Sequence, residues 1–115
     1  MNHKDLDVWK KSIELVENIY QFTEKLPDSE KFGLFSQLRR AAVSIPSNIS
    51  EGAARKSDKE FIQFCYIALG SLAEVETQLI LCQKLFNLKT ETELLKVEEC
   101  MKLLLGFIRY LKNKS

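Results

Sequence analysis

The chain has 115 residues, of which 45% are hydrophobic and 29% charged, and its formal net charge at pH 7 is +1. This length fits one domain with a sizeable buried core, so we expect a single domain over residues 1–115. The near-neutral balance excludes a protomer that binds polyanions through bulk charge alone, and the absence of an apolar run of about 20 residues argues against a membrane partner.

The first predicted helix covers about residues 5–25. Its apolar residues recur at steps of three and four, which places them on one helical face, and they are Leu6, Trp9, Ile13, Val16 and Tyr20. A second apolar set occupies another face of the same helix and consists of Leu15, Ile19 and Phe22. Pro27 disfavours helical backbone at Leu26 and ends the pattern.

The second predicted helix begins near Glu30. Its core stripe consists of Phe35, Leu38, Ala42, Ile45 and Ile49, with Leu34 and Ala41 beside it. Pro46 lies inside this stripe and removes a backbone donor, so we expect a kink or a short break there. Asn48 and Glu51 have the spacing of a capping box that restarts the helix after the break.

The third predicted helix begins at Ser57, which precedes Glu60 by three residues, as in a capping box. Its core-facing residues, which we call the seam of the helix, are spaced alternately four and three positions apart over about 28 residues. They are Phe61, Cys65, Ala68, Leu72, Val75, Leu79, Cys82 and Phe86.

The fourth predicted helix follows a second capping box, Thr90 with Glu93. Its seam reads Leu94, Val97, Met101, Leu104, Ile108 and Leu111. No segment has the alternation of a strand. Four amphipathic helices with short connections predict an all-α fold, an antiparallel up-down-up-down four-helix bundle in which helix two is kinked near Pro46.

Apolar side chains outside these seams predict a further buried surface. Leu103, Phe107 and Tyr110 form a second face on helix four, as Leu15, Ile19 and Phe22 do on helix one. Either broad stripes thicken the core, or copies of the chain associate through these faces.

Gly70 and Ser71 lie in the middle of helix three, where glycine costs up to about 1 kcal/mol relative to alanine. The first interpretation is that a neighbouring helix approaches closely there, and the second is a glycine tolerated on the surface. We place both residues in the candidate oligomer interface with Leu103, Phe107 and Tyr110.

Catalytic and metal-binding patterns are missing from the sequence. The one histidine is His3, in the N-terminal segment, and the three cysteines lack metal-ligand spacing. Cys65 and Cys82 lie on the seam of helix three, where a thiol behaves as a small hydrophobic group. We expect no enzyme activity, no metal and no cofactor. An odd cysteine count without a secretory segment predicts the cytoplasm.

The basic surplus lies in residues 31–60, which carry six basic and three acidic side chains. Arg39, Arg40, Arg55 and Lys56 are therefore the candidate nucleic-acid contacts, because guanidinium groups suit bidentate phosphate recognition. The alternative is a solvated face in which Arg40 pairs with Glu51 or Glu74.

Several blocks of the chain carry a resemblance to one known family. The blocks are Trp9, Leu26-Pro27, Phe32-Gly33-Leu34, Gln37-Leu38-Arg39-Arg40-Ala41, the run from Ser44 to Gly52, Arg55, and the run from Ala68 to Glu74. The sequence resembles a bacterial four-helix-bundle family that includes proteins encoded in intervening sequences of large-subunit ribosomal RNA genes. Accessory proteins of diversity-generating retroelements are related to that family. The resemblance spans nearly the whole chain.

The resemblance implies a ring-like homopentamer. For the retroelement branch it also implies a basic surface that binds nucleic acid and a reverse transcriptase. Arg39, Arg40 and Arg55 match positions of the family motif, so the resemblance implies that they contact nucleic acid. Lys56 is added because it is adjacent to Arg55. The chain departs from the retroelement proteins in being nearly neutral, so the ribosomal intervening-sequence branch is the closer match.

Two hypotheses of function follow. The leading one is a non-catalytic, oligomeric accessory protein that binds RNA or DNA and contacts phosphates without reading bases. The alternative is an interaction scaffold that binds another polypeptide, such as a reverse transcriptase, through its exposed apolar faces.

Overall fold

The fold is built from α-helices that are neighbours both along the chain and in space. The computed structural model describes residues 1–114, and the α-helices in that range are α1 Asp7–Thr23, α2 Leu34–Ala53, α3 Asp58–Phe86 and α4 Glu91–Lys114. Each helix packs against the next, and α4 returns to pack against α1. No strand occurs within residues 1–114. The predicted four-helix bundle is confirmed, and it measures 47 × 22 × 19 Å.

The seams of α3 and α4 form much of the core. Every predicted α3 position is buried except Phe86, which is half-buried and packs against the core. On α4, Val97, Leu104, Ile108 and Leu111 are buried as predicted. Cys100 is buried with them, whereas Leu94 and Met101 lie at the edge of the core.

On α1 the alternative in which a broad stripe thickens the core is confirmed, because Leu15, Ile19 and Phe22 are buried while Leu6, Trp9 and Val16 of the predicted stripe pack at the core edge. The buried face consists of Val8, Ser12, Leu15, Ile19 and Phe22, so the set assigned to a second face belongs to the core. Ser12 can be buried because its Oγ donates a 2.6 Å hydrogen bond to the carbonyl of Trp9. Trp9 and Val16 pack at the core edge, and the Trp9 indole donates to Ser50 Oγ at 3.0 Å.

The break predicted at Pro46 does not occur, because α2 runs without interruption from Leu34 to Ala53. Proline leaves the carbonyl of Ala42 without its helical donor, which is the local defect behind the predicted kink. Asn48 caps no new helix. Its Nδ2 instead donates to the carbonyl of Ser44 at 2.8 Å, within the same helix.

The two predicted capping boxes have different outcomes. Ser57 Oγ accepts from the backbone N–H of Glu60 at 3.2 Å, so the predicted cap is confirmed, but the Glu60 carboxylate accepts from Ser57 Oγ and the reciprocal bond of the box is not seen among residues 1–114. The second is wrong, because Thr90 is buried and its Oγ1 has no hydrogen-bond partner among residues 1–114. Its carbonyl accepts from the N–H of Leu94 at 2.9 Å and so begins α4.

Of the described helices, α3 has the length and apolar composition that a membrane span requires. Its inward seam is buried among the other helices of the bundle, so in this compact fold α3 is a core helix. Its outward side carries additional apolar residues, which account for the high apolar content.

Candidate functional site

Arg39 connects α2 to α1. Its Nε donates to Thr23 Oγ1 at 2.9 Å, and its Nη2 donates to Glu24 Oε1 at 2.9 Å and to the carbonyl of Tyr20 at 3.3 Å. The guanidinium also lies 4.1 Å from the ring centroid of Tyr20 and 4.0 Å from that of Phe35. The side chain is 22% exposed. Arg39 therefore stabilises the packing of α1 on α2, and few of its N–H groups remain free to bind a phosphate.

Arg40 projects from α2 toward α3, away from Arg39. It lines a depression of about 240 Å³ together with Gln37, Ser44, Glu74 and Gln78. The alternative in which Arg40 pairs with Glu51 or Glu74 is not observed, because among residues 1–114 neither carboxylate forms an ion pair with it. Adjacent arginines thus lie on opposite flanks of α2.

Arg55 and Lys56 lie in the turn between α2 and α3. Arg55 lies over the ring of Phe64, 4.8 Å from its centroid, and forms a loose 3.8 Å pair with Glu51. The turn follows Ala53, the last residue of α2, which lies about 21 Å along the helix axis from Arg39 at 1.5 Å per residue. The four predicted cations therefore occupy three separate places and do not form one strip.

The end of α4 brings further cations to this turn. Lys114 Nζ lies 3.6 Å from Asp58 Oδ2, and Lys112 Nζ donates to the Tyr66 hydroxyl at 2.8 Å. Residues 51–60 and 105–114 together hold six basic and three acidic side chains. We call the six cations the basic end of the bundle, and they are Arg55, Lys56, Lys59, Arg109, Lys112 and Lys114.

Exposed aromatic rings accompany the basic end. Tyr66 is 45% exposed and Tyr110 is 51% exposed. Lys112 Nζ lies 5.3 Å from the ring centroid of Tyr66, and Lys114 Nζ lies 5.9 Å from that of Tyr110. Cations interleaved with accessible rings can contact phosphates and stack on unpaired bases at the same time.

Sequence reasoning missed four members of the basic end, Lys59, Arg109, Lys112 and Lys114. Counted as one stretch, residues 90–115 carry five basic and four acidic side chains, which hides any surplus. The acidic residues all precede residue 100, and residues 100–114 carry four basic side chains and no acidic one. Dividing the stretch at that point would have revealed the basic C-terminal half of α4.

The predicted interface residues of α4 are partly accessible. Leu103 is 37% exposed, while Phe107 is half-buried and packs edge-on against Phe61 at 5.2 Å between ring centroids. Leu103 and Phe107 line a groove of about 430 Å³ between the start of α1 and α4. Tyr110 stacks on Phe107 at 6.0 Å and belongs equally to the basic end.

Gly70 and Ser71 have different surroundings. A Cβ at Gly70 would meet nothing within 4 Å, so the predicted close approach by another helix of the same chain is wrong. Ser71 is buried, and its Oγ hydrogen-bonds with Ser44 Oγ at 2.9 Å across the α2–α3 contact. Gly70 therefore lies on the outside of the bundle, beside the depression that Arg40 lines.

The three buried thiols are expected to be unreactive. Burial raises the pKa of Cys65 to about 12 and those of Cys82 and Cys100 to about 11. All three are therefore protonated at neutral pH and are poor nucleophiles. Within residues 1–114 no group of three or more His, Cys, Asp and Glu side chains is arranged to hold a metal ion.

Comparison with known proteins identifies relatives for most of the chain. Residues 4–106 match the family model described as "23S rRNA-intervening sequence protein". The solved structures that match include a crystal structure from Bacteroides thetaiotaomicron, a protein of unknown function from the S23 ribosomal protein family. That protein is 30% identical to this chain, and the match covers 88% of this chain and 97% of the other with a TM-score of 0.80. No curated protein matches the sequence.

Proposed function

This chain belongs to the family of 23S rRNA-intervening sequence proteins, and on that premise we propose that it is a non-catalytic, oligomeric accessory protein of the cytoplasm that binds RNA through its basic end. The observation that carries the proposal is the grouping of six cations and two exposed tyrosines where α2, α3 and α4 meet. Arg55 and Lys56 remain candidate contacts, and Lys59, Arg109, Lys112 and Lys114 join them.

The charge of one copy is modest, and oligomerisation would multiply it. Six basic against three acidic side chains in residues 51–60 and 105–114 leave a surplus of three in these two segments of each protomer. Cyclic symmetry repeats any patch on the same side of a ring, so the five copies that the family resemblance implies would form one basic rim. Multiple phosphate contacts then give an affinity that falls steeply with salt.

The exposed tyrosines favour unpaired RNA over a regular duplex. Bases in loops and single strands are free to stack on Tyr66 and Tyr110, whereas bases within a duplex are already stacked. Stacking and phosphate contacts tolerate many sequences, so we expect weak base preference. Arg39 has a structural role in this proposal, and Arg40 lies outside the RNA-binding surface.

A matched pair of double variants tests the proposal. Arg55→Glu with Lys56→Glu reverses two charges at the basic end, and Lys84→Glu with Lys89→Glu makes the same charge change near the opposite end. Fluorescence anisotropy with a single-stranded fragment of 23S ribosomal RNA should show about tenfold or greater weakening for the first pair and little change for the second. Equal losses in both pairs, or a wild-type affinity independent of salt, would contradict RNA binding at this end.

The scaffold alternative has its own support in the exposed apolar side chains of α3 and α4, among them Ile67, Leu81 and Leu105. Capture of tagged protein from nuclease-treated lysate separates the two functions. A polypeptide partner that survives nuclease treatment favours the scaffold, and loss of all captured material favours RNA binding.

A further inference from the structure

The groove between the start of α1 and α4 combines apolar walls with charged side chains of both signs. We call it the α1–α4 groove, and its volume of about 430 Å³ is typical of a small-molecule site. Asp5 and Asp7 line its α1 side, and Lys102 lines its α4 side. A ligand of the groove therefore needs an apolar body with polar groups at opposite edges. The apolar lining consists of Leu6, Val8, Leu103 and Phe107.

The α4 side of the groove is basic. Gly106 lines the groove between Lys102 and Arg109 in sequence, and a Cβ at Gly106 would lie 3.8 Å from Arg109 Nη2. The Arg109 guanidinium therefore lies at the edge of the groove, beside the space that the glycine leaves open. Within residues 1–114 neither Lys102 nor Arg109 forms an ion pair. Both cations are available to a phosphate group on this side.

The α1 side of the groove is acidic. Asp5 and Asp7 are exposed, and neither forms an ion pair among the described residues. Carboxylates accept hydrogen bonds from the amino groups of bases, as they do from N4 of cytosine. They also repel phosphates, so a nucleotide in the groove must direct its phosphate toward α4. The two sides of the groove therefore define one orientation for a nucleotide.

A pair of aromatic rings connects the groove to the basic end. Phe107 is half-buried and lines the groove, and Tyr110 stacks on it with 6.0 Å between ring centroids and 23° between ring planes. Tyr110 is also the exposed ring of the basic end on which a base can stack. A strand that stacks one base on Tyr110 therefore has a neighbouring base within reach of the groove.

A nucleotide would use every part of this lining. Its flat base covers the apolar walls, its amino group meets the carboxylates, and its phosphate meets the cations. An apolar peptide side chain would use the walls alone and leave both charged sides without a partner. The continuity of the groove with Tyr110 also favours RNA over a polypeptide as the occupant.

We infer that the α1–α4 groove binds one nucleotide of the RNA and selects a base that carries an exocyclic amino group. The base lies against Phe107, and Asp5 and Asp7 accept from its amino group. Lys102 and Arg109 contact the attached phosphate. Uracil has no amino group and is disfavoured. The inference rests on the proposed RNA binding, and it adds a base preference that the phosphate and stacking contacts of the basic end do not provide.

Two pyrimidine oligonucleotides of equal length test this preference. Cytosine and uracil have the same size and differ at the edge that the carboxylates would contact. In fluorescence anisotropy we expect oligocytidylate to bind about threefold or more tightly than oligouridylate. Asp5→Ala with Asp7→Ala should bring the ratio of the two affinities to about one. Both affinities should rise in this variant, because two charges that repel phosphates are removed.

A matched control separates base recognition from overall charge. Glu98→Ala with Glu99→Ala removes the same two charges from a part of α4 that does not line the groove. Both affinities should again rise, but the preference for oligocytidylate should remain. Loss of the preference in the control, or its retention in the variant at Asp5 and Asp7, would overturn the assigned role of the carboxylates.

Filling the groove provides a second test. Gly106→Leu places a side chain in the groove without a clash, since a Cβ at Gly106 would meet only the end of the Arg109 side chain, at 3.8 Å. We expect the helices to be retained and the preference for oligocytidylate to be lost. If Gly106→Leu instead lowers the mass in light scattering and leaves the preference unchanged, a second copy occupies the groove and the inference is overturned.

The failure of this inference differs from the failure of RNA binding itself. Equal, salt-dependent affinities of the wild type for oligocytidylate and oligouridylate would overturn the base preference and leave RNA binding by the basic end in place. Absence of binding to both oligonucleotides at low salt would overturn both proposals.

Discussion

Arg39 shows how one residue can look functional and act structurally. Its planar guanidinium presents several donors in fixed directions, which suits a phosphate but equally suits the acceptors at the end of α1. In this fold Thr23, Glu24 and the carbonyl of Tyr20 accept from it, and two aromatic rings lie against its faces. A lysine cannot reproduce this geometry.

We expect Arg39→Lys to lower the free energy of unfolding by about 1–2 kcal/mol, since it loses directed hydrogen bonds and ring stacking. Arg40→Lys is the control, because Arg40 is exposed and unpaired within the protomer, and its effect should stay below about 0.5 kcal/mol. Urea denaturation of both variants measures the difference. Equal stabilities would remove the structural role assigned to Arg39.

The thiols allow a prediction about pH. Burial raises the pKa values of the three cysteines from 9.0 to about 11 or 12. Above pH 9 the unfolded chain loses these protons while the native chain keeps them, so the contribution of the thiols to stability falls as pH rises. Near pH 10 we expect thiolate ultraviolet absorbance to be absent from native protein and to emerge upon unfolding in urea. Thiolate absorbance in the native state would contradict the assigned burial.

At the scale of elements, apolar spacing predicted the buried face of a helix well where every core position is apolar. It predicted less where a serine or a proline lies in the buried face. The α3 seam is apolar at every position and was predicted correctly. The predicted α1 stripe lies at the edge of the buried face, which includes the polar Ser12, and a hydrogen bond to its own helix satisfies the Ser12 hydroxyl. Pro46 seemed to break α2, but the buried side chains on both sides hold the helix together. Such compensation depends on tertiary contacts that a local pattern does not contain.

Two glycines make a matched prediction about the α2–α3 pair. A Cβ at Gly52 would lie 2.6 Å from Phe61 Cδ1 and 2.9 Å from Phe64 Cβ, whereas a Cβ at Gly70 would meet nothing within 4 Å. We expect Gly52→Ala to destabilise the protein by about 1–3 kcal/mol through overpacking. Gly70→Ala should stabilise the protomer by about 0.5–1 kcal/mol through helix propensity.

Thermal denaturation at low protein concentration measures both glycine variants without a contribution from self-association. Gly70→Leu should likewise leave the bundle intact, because a Cβ at Gly70 meets nothing within 4 Å. A destabilised Gly70→Ala protomer would mean that the outside of α3 is more crowded than the structure shows.

At the scale of the whole molecule, topology decides which cations act together. Arg39 and Arg40 are neighbours in sequence, but one contacts α1 and the other faces α3. Arg55 and Lys112 are distant in sequence, yet they lie at the same end because α3 and α4 run antiparallel. The sequence predicted the bundle and two members of the basic end. Its other members could be assigned only once the packing of α4 against α3 was known.

This grouping predicts that α4 contributes to RNA binding. Lys112→Glu with Lys114→Glu should weaken binding of the single-stranded ribosomal RNA fragment about as much as the double variant at Arg55 and Lys56, because both remove cations from the same end. Circular dichroism should show that the helices are retained. An affinity equal to wild type would restrict the RNA-binding surface to the α2–α3 turn.

The most direct test of RNA binding by the basic end is a residue-resolved NMR titration with a short single-stranded RNA at low salt. We expect the largest chemical shift changes in residues 54–66 and 105–114, including the ring signals of Tyr66 and Tyr110, and we expect these changes to diminish as salt is added. Shift changes centred on Arg39 and Arg40, or none anywhere in the chain, would contradict the assignment of RNA binding to the basic end.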